Sequence, residues 1–312
     1  MSAKQLGKRL IQIVIVLIGI SFFTFLITYL APGDPVRTMF SAAGIVPSEE
    51  LIQETRDEMG LNDPFFVQYF RWLGNCLHGN FGESYSLHKP VVTLLANRLW
   101  PTLKLSLTSM VFMLVVAIPL GMAQATHKNS FIDYGLRGIT FFGVSMPNFW
   151  VGLMLMLLFC VKIKIFPVVS SGGSFINVIL PAVTLAFAMS AKYTRQVRTA
   201  IVEELSQDYV IGARARGVKE WKILWLNVFP NSLLPLITML GLSLGSLLGG
   251  TAVVELIFTY PGLGSLAVNA ITSYDYPLIQ GFVLWIALIY MVVNLLVDIS
   301  YNFVDPRMRE KR

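Results

Sequence analysis

Charge is scarce in this chain: 13% of its 312 residues are Asp, Glu, Lys or Arg, about half the share in an ordinary soluble domain. Cysteine and histidine are scarcer, at two and three residues. Cys76 and Cys160 lie too far apart to build a disulfide framework or a zinc site. His78, His88 and His127 all fall outside the long apolar runs, so Ser145, in Gly143-Val144-Ser145-Met146, has no base beside it. That excludes a serine nucleophile working inside a membrane, and with it an enzyme of that kind. The phosphate-cradling string G-x-x-x-x-G-K-[ST] does not occur, so the chain does not hold ATP through such a loop.

Apolar residues make up 55% of the sequence and the mean hydropathy is +0.65, too much for the core of a soluble fold of this length. Uncharged runs occupy residues 10–33, 105–126, 138–161, 165–191, 223–254 and 276–297. Each exceeds the roughly 20 residues a helix needs to cross a bilayer. The expectation is therefore an all-α, polytopic membrane protein with six transmembrane helices. In the fourth run Ser170-Ser171-Gly172-Gly173 reads as a turn, which puts the helix start near Phe175, and Pro181 is set to kink it. The fifth run is longer than one span and carries Pro230 and Pro235, so part of it should lie at the interface. The first run is too long for a signal-peptide core and has Pro32 where cleavage would fall, so it reads as an uncleaved anchor.

With the N-terminus inside, sixteen of the 24 Lys and Arg fall on cytoplasmic segments, so the positive-inside rule gives N-in and C-in. The net charge of +6 is then explained by topology rather than by nucleic acid. The resulting organisation is an N-terminal transmembrane helix (1–33), an extracytoplasmic helical cap (34–104), a transmembrane core (105–302) with a cytoplasmic loop at 192–230, and a cytoplasmic tail (303–312). Within the cap, Ser48 reads as a helix N-cap and Gly60 as the closure of the same helix. The aromatic string FFVQYFRWL at 65–73 reads as a helix at the interface or on top of the bundle.

The inner loop mixes charge with small residues. Two helical pieces are expected to meet at Gly217, with Val218, Trp221, Trp225 and Val228 as an apolar stripe on the second. Gly212, Ala213 and Ala215 form a low-profile surface that another protein can approach closely; a solvated loop is the bland alternative.

This loop resembles the EAA loop of ABC importer permeases, in the variant of the peptide/nickel family: DYV-x-x-ARA-x-G at 208–217, then Asn231 to Pro235. APGDP at 31–35, GLNDPFFVQY at 60–69, FGESY at 81–85, ELIFTYPGLGSLAVNAI at 255–271, DYPLIQG at 275–281 and DPRMR at 305–309 resemble family blocks in the family order. GVSMPNFW at 143–150, through Gly143 and Asn148, leans toward the nickel branch, although peptide branches carry a related block. The resemblance implies a type I (MetI-like) permease fold in the cell membrane of a prokaryote. It implies a B-type subunit that forms the path with a homologous C-type permease. Two ATPase subunits would hydrolyse ATP with magnesium, and an extracytoplasmic binding protein would deliver the solute, either nickel as a chelate or a short peptide. This chain itself would bind no cofactor or metal and catalyse nothing. Residue by residue, the carry-over makes Asp208, Tyr209, Gly212, Ala213, Arg214, Ala215, Arg216 and Gly217 the ATPase-coupling helix.

For the translocation path or gate, the expected set is the small and polar residues Ser145, Asn148, Ser243, Ser246 and Gly250 of the third and fifth runs, with Glu255 bounding the fifth. Glu255 reads either as a gate or as a helix-end contact, and Asp298 as structural. Gly262-Leu263-Gly264-Ser265-Leu266-Ala267 matches a dinucleotide string without its strand–turn–helix context, so Pro261 and the glycines are expected to reverse the chain at the outer mouth. An ion-gradient-driven secondary transporter is the alternative from another class. It would require charges at mid-membrane and an inverted repeat, which the sequence does not present.

Overall fold

The computed structural model describes residues 3–170 and 174–304; Ser171, Gly172 and Gly173 of the expected turn, and the block at 305–309, lie outside the described residues. Fourteen helices follow one another among the described residues: α1 Ala3–Leu30, α2 Pro35–Ala42, α3 Glu49–Glu58, α4 Phe65–Leu77, α5 Val91–Thr126, α6 Phe131–Ser145, α7 Asn148–Met156, α8 Ile176–Leu205, α9 Asp208–Ala215, α10 Glu220–Lys222, α11 Phe229–Gly250, α12 Ala252–Ile257, α13 Leu263–Thr272 and α14 Tyr276–Val304. Two π-helical turns, Leu157–Lys162 after α7 and Ile223–Val228 between α10 and α11, extend them. Among the described residues there is no strand, only an isolated bridge between Glu83 and Pro90.

Four helices are long and apolar enough to cross a membrane, and two bent pairs bring the count to six. The third run is not one straight helix, because Phe131–Ser145 and Asn148–Lys162 meet at 95°. The break falls at Met146-Pro147, where proline lacks the N–H that would continue the ladder and pushes Met146 to an extended conformation (ψ 130°). The fifth run also bends, by 50° before Pro235. Helix α8 starts at Ile176 and carries Pro181 internally.

The chain forms two compact units. One contains residues 1–102 and 261–292. Here α4 lies on α1 through aromatic edges, with Phe65 and Tyr69 against Phe22 and Phe25, and Tyr69 hydrogen-bonded to Ser21 at 2.9 Å. Its other face leaves Phe66 and Phe70 exposed, the amphipathic division the aromatic string predicts. Ser48 caps α3 through Leu51 N–H, and Gly60 closes it at φ +64°. Val91, Leu95, Leu263, Leu266 and Leu278 form the core of this unit. Asp275, fully buried, accepts from the Ser84 hydroxyl (2.6 Å), the Ser86 hydroxyl (2.7 Å) and the Ser86 N–H (3.1 Å), which fastens the 84–86 loop to the start of α14.

The other unit contains residues 103–260 and 293–312. Helix α8 is its spine, and close approaches at glycine seat its neighbours: a Cβ on Gly121 of α5 would lie 2.6 Å from Val197, one on Gly143 of α6 3.0 Å from Ala191, and one on Gly152 of α7 3.2 Å from Thr184. Asp133 of α6 is fully buried. It accepts two bonds from Arg137 (2.9 and 2.6 Å) and two from Arg198 of α8 (both 2.9 Å). The chain turns over residues 258–262, with a bend at Gly262, while Gly264 lies inside α13. Positive φ falls on Thr259 (+51°), whereas Gly262 is extended and stands at the N-cap of α13.

Candidate functional site: the α9–α10 hairpin and the polar residues of the spans

Helix α9 begins at Asp208 and ends at Ala215, after which Gly217 takes φ +74° and turns the chain into α10. A side chain there would have open space around it, so the backbone angle, not crowding, is what asks for glycine. Val210 and Ala213 point inward and join Val197, Ile201, Ile223 and Val228 in one cluster. Gly212, Arg214, Ala215 and Arg216 are exposed, as is Ile211. The low-profile surface is thus built by Gly212 and Ala215, with Ala213 on the opposite side holding the helix down.

Both ends of α9 are braced. Tyr209 donates to Glu204 at 2.7 Å, and Arg214 makes a two-pronged ion pair with Glu220 (2.7 and 3.1 Å) across the Gly217 turn. Arg216 has no ion-pair partner among the described residues.

The stripe expected on the second piece is corrected. Val218 and Val228 pack inward, but Trp221 and Trp225 are half exposed and Ile223 takes the buried place. The π turn is the reason: Val228 lies five positions after Ile223, a spacing that one wide turn brings to the same face and an α-helix does not. Pro230 follows directly, and the wider turn relieves its ring against the carbonyl four residues back.

The residues expected along the path fall in different settings. Ser145 is exposed at the end of α6 and donates to the Phe141 carbonyl (2.9 Å), and Asn148 is exposed at the start of α7, so both flank the 95° bend. Ser243 is buried, and the Tyr193 hydroxyl bridges its Oγ (2.6 Å) and the Met239 carbonyl oxygen, tying α8 to α11. Ser246, Gly250 and Asp298 stand on helices, but their surroundings lie outside the described residues. Glu255 is fully buried in α12 and accepts from the Thr251 hydroxyl at 2.8 Å. Burial, and then the Glu255 charge, push the Tyr260 phenol up to about 12.

Sequence reasoning missed the Asp133 junction and the Asp275 clasp. The spacing of Asp133 and Arg137, four apart on a helix, was a readable signal. Arg198, 65 positions away, gave none.

A six-span helical bundle with a short helical hairpin between spans is the architecture of a type I ABC importer permease. The chain superposes on a chain of the inward-facing MetNI methionine ABC transporter with a TM-score of 0.58 and 18% identity, covering 68% of this chain and 96% of that one. Residues 117–310 match the model for binding-protein-dependent transport system inner membrane components, and residues 3–108 match the N-terminal model of such membrane components.

Full-length relatives agree. The oligopeptide transport system permease protein AppB of Bacillus subtilis is 40% identical over 98% of this chain and 99% of its own. The probable D,D-dipeptide transport system permease protein DdpB of Escherichia coli is 35% identical over 97% and 96%. The metal-staphylopine import system permease protein CntB of Staphylococcus aureus is 36% identical over 98% of both. The chain belongs to the family of binding-protein-dependent transport system inner membrane components, as a multi-pass, non-catalytic permease subunit of an ABC importer.

Proposed function

We propose that this subunit forms, with a homologous C-type permease, the path for short peptides, and that two ATPase subunits drive it through α9 while an extracytoplasmic binding protein supplies the solute. The observation that carries the substrate class is near-full-length identity of 35–40% to permeases named for oligopeptides and D,D-dipeptides. A nickel or other metal chelate is the second reading, favoured by the GVSMPNFW block and by the relative named for a metal-staphylopine system. ATP and magnesium belong to the partner ATPases in this reading. Residues 34–104 serve as the extracytoplasmic cap, 105–302 as the transmembrane core and 303–312 as a cytoplasmic tail, with both termini inside.

Asp208 to Gly217 are read as the coupling helix because Val210 and Ala213 anchor one face while Ile211, Gly212, Ala215 and Arg216 are exposed on the rest. Anchoring on one side and bracing at both ends let a push on α9 move α8 as a rigid body. Ser145, Asn148, Ser243, Ser246, Gly250 and Glu255 are read as path or gate residues.

Uptake in vesicles carrying the complete complex tests the reading. A labelled dipeptide should accumulate only with ATP, the ATPases and the binding protein; accumulation of nickel chelate alone transfers the assignment to the second reading, and uptake without the ATPases overturns it. Gly217→Val forces a branched side chain into a left-handed backbone at a cost of about 1–2 kcal/mol. It should leave ATP hydrolysis running while uptake falls, and wild-type uptake in that variant would remove α9 from the coupling role.

A further inference from the structure

The arm that leads into α11, made of α10 and the π turn after it, has an outer face that the packing of its own unit does not use. Ile223 and Val228 join Val197 and Ile201 in the core, which leaves Trp221, Lys222, Trp225 and Leu226 exposed. Lys219 and Lys222 have no ion-pair partner among the described residues, whereas Glu220, between them, is spent on Arg214. Lys222 Nζ stands 5.7 Å from the centre of the Trp221 ring, and Trp225 meets Phe229 edge-on at 5.5 Å. The face is therefore aromatic and doubly cationic at once.

Its level in the unit says what covers it. The cluster that seats the arm also holds Met122 and Ala125 of α5, which ends at Thr126 before His127 and Lys128. Arg198 of α8, at the same height, binds Asp133 in the first turn of α6. There Phe131 and Tyr134 are exposed, and Arg137 Cζ lies 5.3 Å from the centre of the Tyr134 ring. Two separate segments thus place exposed aromatics, each with a cation on a ring, at one level, where the uncharged part of α5 stops and α8 already carries Lys192, Arg195 and Arg198. Tryptophan, tyrosine and basic residues gather in this way at the headgroup layer of a bilayer, the ring body in the apolar part and the polar edge in the wet part. The length of α11 agrees. Its 22 residues rise about 33 Å, enough for a hydrocarbon core of about 30 Å, so the arm before Phe229 falls among headgroups. Two unpaired ammonium groups at that depth are matched by lipid phosphate.

We infer that this arm holds an anionic phospholipid, its phosphate between Lys219 and Lys222 and its upper acyl chains along Trp221 and Trp225. The site goes beyond the import reading and depends on the membrane assignment, not on the solute. Through the Glu220–Arg214 pair, the lipid would steady the arm against which α9 is braced.

The test is tryptophan quenching in nanodiscs that carry the complete permease–ATPase complex. Brominated phosphatidylglycerol is compared with brominated phosphatidylcholine, each titrated into a phosphatidylcholine background. Subtracting the signal of the double variant Trp221→Phe/Trp225→Phe isolates the two indoles. Each lysine near an anionic headgroup is worth about fivefold in affinity, so the glycerol lipid should be preferred by about 25-fold. Lys219→Gln or Lys222→Gln alone should cut that preference about fivefold, and the two together should remove it. Gel filtration and ATPase activity of each variant in phosphatidylcholine discs, equal to the wild type, establish that the complex is assembled.

Equal quenching by the two lipids in the wild type, or a preference that survives Lys219→Gln/Lys222→Gln, overturns the inference. So does the absence of quenching by either lipid, which would give the face to a protein partner with an acidic surface. Uptake of labelled dipeptide by the full system reads the import assignment separately: uptake without lipid selectivity removes this site alone, and lipid selectivity without uptake removes the peptide assignment alone.

Discussion

Two fully buried aspartates sit in the two units and are kept there by opposite means. Asp133 is held by two guanidinium groups, four charge-assisted bonds in all. Asp275 has no ion-pair partner among the described residues: it is held by two serine hydroxyls and two backbone N–H groups, one of them Leu278 N–H in the first turn of α14. The first arrangement needs a negative charge, because guanidinium only donates. The second needs acceptor oxygens but no full charge, because its hydroxyl and backbone N–H donors are themselves neutral. One is an ionic bolt between two helices, the other a dipolar cradle for a loop.

That contrast orders the expected effects. Asp133→Ala should be the most damaging, leaving two arginines uncompensated at a cost of about 3 kcal/mol, toward the lower end for a broken buried pair because Arg137 is 41% exposed and partly reaches water. Thermal unfolding of the complex in detergent reads it, and a loss no larger than that of Asp275→Ala would break the comparison. Asp133→Asn should still cost about 2 kcal/mol, since the amide supplies no charge. Asp275→Ala should cost about 2 kcal/mol, from the lost helix cap and the hydroxyl bonds. Asp275→Asn should cost about 1 kcal/mol, because its amide oxygen can keep the two hydroxyls and the Ser86 N–H while its NH2 group displaces only the long bond (3.4 Å) from Leu278 N–H, and a cost equal to that of Asp133→Asn would show that charge matters equally at both sites. Between the two arginines, Arg198→Ala should destabilise more than Arg137→Ala, since Arg198 is only 17% exposed.

The features legible in sequence were those set by local chemistry. Uncharged runs located the spans, Ser48 and Gly60 bounded α3, and Gly217 marked the turn after α9. Pro147 was equally visible as a breaker, but a run without charge reads as one span whether or not it bends, and the 95° break was missed. The outward placing of Trp221 and Trp225 depends on a π turn, which shifts the helical phase by a residue and leaves the composition untouched. Ala213 was grouped with Gly212 by size, and only packing against Val197 and Ile201 distinguishes the side that anchors α9 from the side that is exposed. Asp133 with Arg198, and Asp275 with Ser84 and Ser86, join positions too distant for any spacing rule.

The wide turn at Ile223–Val228 also bears on how this chain tolerates changes of length. A π turn holds one residue more than an α-helix uses over the same path, so the segment ahead of Pro230 carries a spare. Losing the exposed Leu226 would let the turn close to an ordinary α-helix and leave Ser243 opposite Tyr193, at the smaller cost of bringing the Pro230 ring back against the carbonyl four residues earlier. The same loss a turn beyond Pro235 would swing Ser243 away by about 100° and undo the link between α8 and α11. Insertions and deletions in the lineage of this subunit are therefore expected to collect ahead of Pro230 and to be absent from the helix that follows it.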